Sequence, residues 1–218
     1  MMKAFGPEAN AVLDEIIAAR RSIRAFAPEA PPRRAIEELI AAGLQAPYAA
    51  LAVGDRRDFR RFFVFTQGTT AMAEAGRLIQ SAIRSRVEKG LKERGRPPIP
   101  ADPDFVYLQR VKSLADDIHP SLKTAPYFIV TAEYQGFPAA GLQSLAHTLE
   151  NMWLKAAALG LAFQVLSVTE SMSDVPEFVR LLGLPLGEYV LDGCAVGYPA
   201  ADPPQARRPD VAAATKWL

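Results

Sequence analysis

The stretch from Gly141 to Leu159 constrains the fold more than any other part of the chain. Its apolar residues recur every three or four positions, as one face of an α-helix requires: Leu142, Leu145, Leu149, Met152, Trp153, Ala156 and Leu159. Gly160 follows and can end the helix. A helix with so wide an apolar face is normally buried centrally or shared with a partner. We therefore expect it at the centre of the fold or at a subunit interface.

Shorter helical and strand-like patterns alternate along the rest of the chain. Strands are predicted at residues 62–66, 125–132, 163–168 and 189–197, and helices at 12–20, 32–46, 70–94, 105–118 and 174–182. Ser173 is predicted to cap the last of these helices. The interleaving predicts one α+β domain over residues 1–218, with a helical insertion at about 67–120.

Composition excludes several classes of protein. Half of the 218 residues are hydrophobic and 22% are charged, which is typical of a globular domain, and the net charge of +1 argues against a nucleic-acid surface. The single cysteine, Cys194, excludes a disulfide framework, and neither His119 nor His147 has a partner at metal-ligand spacing. No apolar run is long enough to span a membrane, and Asp14 and Glu15 argue against a signal peptide. We expect a cytoplasmic protein that binds neither metal nor membrane.

A basic segment follows the first predicted helix. Arg20, Arg21, Ser22 and Arg24 fall within five positions. Guanidinium groups beside a hydroxyl suit a phosphate, because charge-assisted hydrogen bonds match its oxygens. Basic residues also favour the negative end of a helix dipole, so a solvated turn explains the same pattern. Taken alone, the segment leaves both interpretations open.

The order of several motifs resembles that of the nitroreductase family: RRSIRAF, AAGLQAP, APYFIV, LENMWLKAAALGLAF and LGLPLGEYVLDGCAVGYP. The resemblance covers most of the chain outside residues 67–120. It implies an α+β fold with a central, mostly antiparallel sheet flanked by helices, and an intertwined homodimer with FMN at each interface. It also implies an oxidoreductase that takes hydride from NAD(P)H at flavin N5 and reduces a nitroaromatic, a quinone or a similar small acceptor.

The resemblance also implies the cofactor-binding residues. Arg20, Arg21 and Ser22 match the segment that holds the FMN phosphate and ribityl chain, and Arg24 matches the basic residue at the flavin N1/O2 side. The backbone of Val165, Leu166, Ser167 and Val168 matches the segment beside N5. Either Arg207 or Arg208 matches a C-terminal cation that returns to the phosphate. No side chain is implied as a catalytic acid or base, since the flavin carries the chemistry.

One departure from the family pattern lies after the second helix. The family usually has APSxxNxQPW there, whereas this chain reads APYAALAVGDRRDFRRFF. Pro47 is retained, Tyr48 replaces the serine, and no asparagine follows. Tyr48 can stack on the flavin or pack at a rim, and the arginines can replace the missing polar contacts or form a solvated turn. The departure leaves room for a flavin-binding protein of the same fold with lost or specialised reductase activity.

Two further features stay open in the sequence. Asp192 interrupts the apolar strand at residues 189–197 and should face a sheet edge, a partner chain or a cation. The arginine clusters could also contact an anionic macromolecule, with the fold serving as a scaffold. The near-neutral net charge counts against that reading.

Overall fold

A computed structural model describes residues 4–48, 53–95, 97, 99–101, 105–203 and 208–218, and describes only the backbone at 107, 110 and 111. The helices are α1 (Pro7–Ala19), α2 (Arg33–Leu44), α3 (Thr70–Arg94), α4 (Phe105–Asp116), α5 (Pro120–Thr124), α6 (Gly141–Ala158), α7 (Pro176–Leu181) and α8 (Val211–Ala214), with a 3₁₀-helix at Ser167–Asp174. The strands are β1 (Arg60–Thr66), β2 (Tyr127–Tyr134), β3 (Ala162–Val165) and β4 (Tyr189–Gly197).

The four strands form one antiparallel sheet in the order β1-β2-β4-β3. This confirms the predicted α+β class and the mostly antiparallel sheet. Side chains of successive strand residues point to opposite faces, so each face has its own core. One core includes Phe65, Phe128 and Leu191 and is covered by α3 and the 3₁₀-helix. The other includes Ile129 and Cys194 and is covered by α2 and α6.

Helix α6 is the central element of the second core, as its periodicity predicted. Leu145, Leu149 and Met152 are buried, whereas Leu142 is about half exposed. Gly43 of α2 allows a close approach, because an added Cβ would lie 3.0 Å from Cγ of Met152. Gly160 follows the helix with a φ of 68°, a conformation that favours glycine, so the predicted end of α6 is confirmed.

Two local predictions were wrong. The third strand was expected at 163–168 but ends at Val165, because the amide of Thr169 donates to the carbonyl of Leu166 and starts the 3₁₀-helix. Ser173 does not cap α7. Its hydroxyl oxygen accepts a hydrogen bond from the Leu191 amide at 3.0 Å and ties the 3₁₀-helix to β4.

Candidate functional site

The basic segment after α1 runs alongside β3. Ser22 forms a parallel bridge with Phe163, and the amide of Ile23 donates to the carbonyl of Phe163 at 3.2 Å. The chain then leaves β3, because Phe26 pairs with Pro199 and the Ala27 amide donates to the carbonyl of Tyr198 at 2.9 Å. The structure therefore places the basic segment beside β3, the strand that leads into the 165–168 segment, although Ser22 and β3 are about 140 positions apart in the sequence.

Several hydrogen-bond donors on these two segments are available. Ser22 and Arg24 are exposed, and the Arg24 guanidinium has no ion-pair or hydrogen-bond partner among the described residues. Ser167 and Val168 begin the 3₁₀-helix, where backbone amides have no intrahelical acceptor. Within the described parts of the chain, these two amides have no other acceptor either. Both segments thus offer donors that no other described group uses.

Arg20 and Arg21 make contacts at the end of α1. The Arg20 guanidinium lies 4.3 Å over the Trp153 ring and pairs with Glu150 at 3.2 Å. The Arg21 guanidinium donates to the carbonyls of Ala18 and Arg20, and the Arg21 carbonyl accepts from the Trp153 indole at 3.0 Å. Arg21 therefore stabilises the carbonyl end of the helix, as the solvated-turn interpretation expected.

Pro47 and Tyr48 lie beside the first half of α6, and Arg20 lies beside its second half. Pro47 and Tyr48 line a cavity of about 160 Å³ with Ser144 and His147, whereas Arg20 contacts Glu150 and Trp153. His147 and Glu150 are three positions apart, roughly 4.5 Å along a helix, and Ser144 and Trp153 are nine positions apart, roughly 13 Å. The Tyr48 ring packs against Phe59, with centroids 4.3 Å apart, and is about half exposed.

The arginine-rich segment after Tyr48 is neither a simple solvated turn nor a free cationic patch. Arg56 lies 4.0 Å over the Tyr134 ring and pairs with Asp58 and Glu188. Arg60 is buried and pairs with Glu133, which the local sequence could not indicate because the two residues are 73 positions apart. Sequence reasoning missed Arg60, and its strand position opposite an acid became visible only in the sheet register.

The remaining candidates are placed as follows. Arg208 is exposed near the C-terminus, and Arg207 and residues 49–52 lie outside the described residues. His119 accepts a hydrogen bond from the Ser121 amide and begins α5, which accounts for its position before Pro120. Burial raises the pKa of the Cys194 thiol well above its usual range, in keeping with a buried small residue.

Asp192 lies in β4 opposite Thr131, next to the end of β3. One carboxylate oxygen accepts from the Gly193 amide at 2.7 Å. Burial raises the pKa of Asp192 to about 6; the charge of Glu170 adds to the effect and the Gly193 hydrogen bond opposes it. None of the helices that the structure describes is long and apolar enough to cross a membrane, and its described side chains form no cluster of three or more metal-ligating residues.

The family model of the nitroreductases matches residues 17–198. The chain belongs to the nitroreductase family. A comparison with curated proteins found no match. The matched range contains both segments at β3 and the Pro47–Tyr48 segment, and it ends just before the C-terminal arginines. The nitroreductase-like resemblance inferred from the motifs is confirmed.

Solved structures share the fold. A nitroreductase with bound FMN from Bacteroides fragilis NCTC 9343 is 22% identical over 94% of this chain and 98% of its own, with a TM-score of 0.67. A BluB-like flavoprotein from Clostridium difficile 630 is 20% identical over 94% and 98%, with a TM-score of 0.70. An oxidised iodotyrosine deiodinase bound to FMN and 3-iodo-L-tyrosine is 19% identical over 91% and 96%, with a TM-score of 0.65.

Proposed function

We propose that this nitroreductase-family protein is an FMN-dependent oxidoreductase. The observation that carries the proposal is that the segment with Ser22 and Arg24 pairs with β3, the strand that leads to the Ser167 and Val168 amides, which have no acceptor among the described residues. The donors are those that an anionic, planar cofactor needs: cations for charge and backbone N–H groups for ring heteroatoms. FMN bound to the solved family members supports the same cofactor here.

Each segment has a distinct task in the proposed site. Arg20 and Ser22 hold the phosphate by charge-assisted hydrogen bonds, and Arg207 or Arg208 adds a further cation. Arg21 supports them by fixing the end of α1 through its carbonyl contacts. Glu150 competes for Arg20, so replacing Glu150 with glutamine should strengthen phosphate binding slightly, because the guanidinium no longer has to leave an ion pair.

Arg24 and the 165–168 segment act on the flavin ring. When bound, FMN would accept hydride from NAD(P)H and pass reducing equivalents to a nitroaromatic, a quinone or a similar acceptor. Arg24 places a fixed positive charge where negative charge accumulates on reduction, which favours the reduced state. The backbone amides of Ser167 and Val168 supply donors whose presence does not depend on side-chain identity. This lets a diverged sequence keep the function.

We infer that the site is completed by a second copy of the chain. The resemblance to the nitroreductases implies sites shared by two chains, and exposed apolar surfaces of this chain support the same arrangement here. In α1, which is described throughout, no residue is buried although Val12 and Leu13 are apolar. Trp217 is 93% exposed at the C-terminus. These apolar surfaces support an intertwined homodimer with shared sites.

A second candidate function remains specific enough to test. The segment after Pro47 has no asparagine and begins with a bulky Tyr48, which is a clear departure from the usual family pattern. The similar fold of an iodotyrosine deiodinase supports specialised chemistry as an alternative to nitro or quinone reduction. In that case the protein binds FMN but turns over slowly with simple acceptors.

The proposal is tested by titrating the apoprotein with FMN and with riboflavin, followed by NADH and NADPH oxidation with a quinone and a nitroaromatic. We expect tight FMN binding, far weaker riboflavin binding because the phosphate contacts are lost, and acceptor-dependent oxidation of NADH or NADPH. Equal affinity for FMN and riboflavin would contradict the phosphate assignment. Tight FMN binding without turnover would favour the specialised alternative.

A further inference from the structure

The buried Arg60 guanidinium uses all of its hydrogen-bond donors. Nε and Nη2 donate to the two carboxylate oxygens of Glu133 at 2.8 and 3.3 Å. Nη1 donates to the carbonyls of Gly43 and Ala46 at 3.1 and 2.9 Å, and Nη2 also donates to the carbonyl of Pro47 at 3.3 Å. An arginine has five N–H donors, so every one of them has an acceptor.

The acceptors belong to the end of α2 and the segment that follows it. The last carbonyls of a helix lack the regular intrahelical partner. The Gly43 carbonyl accepts from the Ala46 amide at 3.1 Å, and Arg60 adds a side-chain donor to it and to the carbonyls of Ala46 and Pro47. Glu133 lies beside Ser144 in the first turn of α6, and the Ser144 side chain favours its charged form. The ion pair thus holds Pro47, one wall of the 160 Å³ cavity that Ser144 and Tyr48 also line.

Stability alone is a poor explanation for such an arrangement. The Arg60 and Glu133 side chains are 2% and 1% exposed, so both charges are removed from water. Burial of a charged pair costs several kcal/mol, and apolar residues of similar size are often as stable or more stable. A guanidinium fork instead offers fixed directions, which can define where three backbone carbonyls lie.

We propose that Arg60 is a positioning residue that fixes the Pro47–Tyr48 segment for contact with the flavin ring of the neighbouring subunit. The hydrogen bonds of Arg60 are the evidence that it fixes the segment. The expected effect on flavin binding rests on the proposed function. In the usual family segment, side chains that include an asparagine supply polar contacts. In this chain, Arg60 instead holds the segment in place through its backbone carbonyls. It does not itself touch the cofactor.

The experiment compares Arg60→Lys with Glu133→Gln and with Arg61→Lys as the matched control. Lysine keeps the charge but lacks the fork, so it loses most of the carbonyl contacts, whereas Glu133→Gln breaks the ion pair and leaves those contacts in place. Arg61 is the next residue on the same strand and is exposed. Unfolding curves establish how much stability each variant loses.

Two readouts separate positioning from stability. Without FMN, hydrogen exchange at the Gln45 and Ala46 amides should accelerate roughly tenfold or more in Arg60→Lys and much less in Glu133→Gln, because only the lysine variant frees the carbonyls. With FMN, affinity should fall roughly tenfold, with a shifted flavin absorbance spectrum, in Arg60→Lys alone. Arg61→Lys should match the wild type in both measurements.

The outcomes are distinct. The positioning role is overturned if FMN affinity falls equally in Arg60→Lys and Glu133→Gln, in proportion to the stability that each variant loses. If the wild type binds no FMN, the proposed function fails, while the exchange measurement still decides whether Arg60 fixes the segment. If Arg60→Lys does not fold, the double variant Arg60→Met with Glu133→Leu replaces it, since an apolar pair restores the core without the carbonyl contacts. Wild-type exchange and FMN affinity in that variant would equally refute the inference.

Discussion

Replacing Asp192 with asparagine should stabilise the protein at neutral pH but not in acid. The carboxyl lies in β4, and burial raises its pKa from 3.8 to about 6. A carboxyl group whose pKa is raised by folding adds to the stability of the folded state at pH values below its pKa in the unfolded chain. This contribution is lost as the pH rises through its pKa in the folded protein. Asparagine has nearly the same shape and can still accept the hydrogen bond from the Gly193 amide, but it does not ionise.

The magnitude follows from the shift. A change from 3.8 to about 6 is about two pKa units. At about 1.4 kcal/mol per unit, the ionised carboxylate costs roughly 3 kcal/mol at neutral pH. Part of that cost is already present at pH 4, because the Asp192 carboxyl is already ionised in some of the unfolded chains at that pH. The stability advantage of Asp192→Asn should therefore grow by about 2 kcal/mol between pH 4 and pH 7.5.

Urea unfolding of the apoprotein at fixed chain concentration measures this difference. Asp174→Asn is the control, because Asp174 is exposed in the 3₁₀-helix and exposed substitutions change stability little. Wild type, variant and control are compared at pH 4, 5, 6 and 7.5. An Asp192→Asn advantage that stays constant across this range, or that shrinks as the pH rises, would show that the carboxyl is not desolvated as described.

Three further predictions concern the cofactor site. Changing Arg20 and Ser22 together to alanine should weaken FMN binding by several kcal/mol, since charge-assisted hydrogen bonds contribute about 1.5–3 kcal/mol each, and an unchanged titration would reject the phosphate role. Arg24→Ala should leave FMN bound but lower its reduction potential, because the reduced flavin loses its counter-charge; a potential that does not move in spectroelectrochemistry places Arg24 elsewhere. Removing residues 207–218 should cost dimerisation and FMN together, as sedimentation and absorbance can check, and a truncated dimer with full flavin content would contradict a shared interface.

Strong local patterns predicted the central elements well. Helix α6 begins at the predicted residue and ends within one position of the expected end, and β4 matches at both ends. Both are long, apolar and bounded by turn residues. The family resemblance then added what periodicity could not, namely the cofactor and the assignment of the basic segment.

Features that depend on distant partners were not predictable in the same way. The third strand stops early because turn hydrogen bonds at Leu166 replace the ladder, which the apolar run does not reveal. Arg60 reads as one more charge in a basic run until the β1–β2 register sets it opposite Glu133. Pro47 matches the family motif and Tyr48 departs from it, but their position beside the first half of α6 follows only from how α2 and α6 pack. Charged residues in particular acquire their roles from tertiary partners.

Sedimentation velocity of the purified protein, followed at both the protein and the flavin absorbance, tests the central claim most directly. A site shared by two chains predicts one species of twice the 23.7 kDa chain mass, with one FMN per chain moving with the protein. Dilution should release flavin and dissociate the dimer together. A 23.7 kDa species that retains stoichiometric FMN would contradict the shared site, and a dimer that takes up no FMN would contradict the flavoprotein assignment.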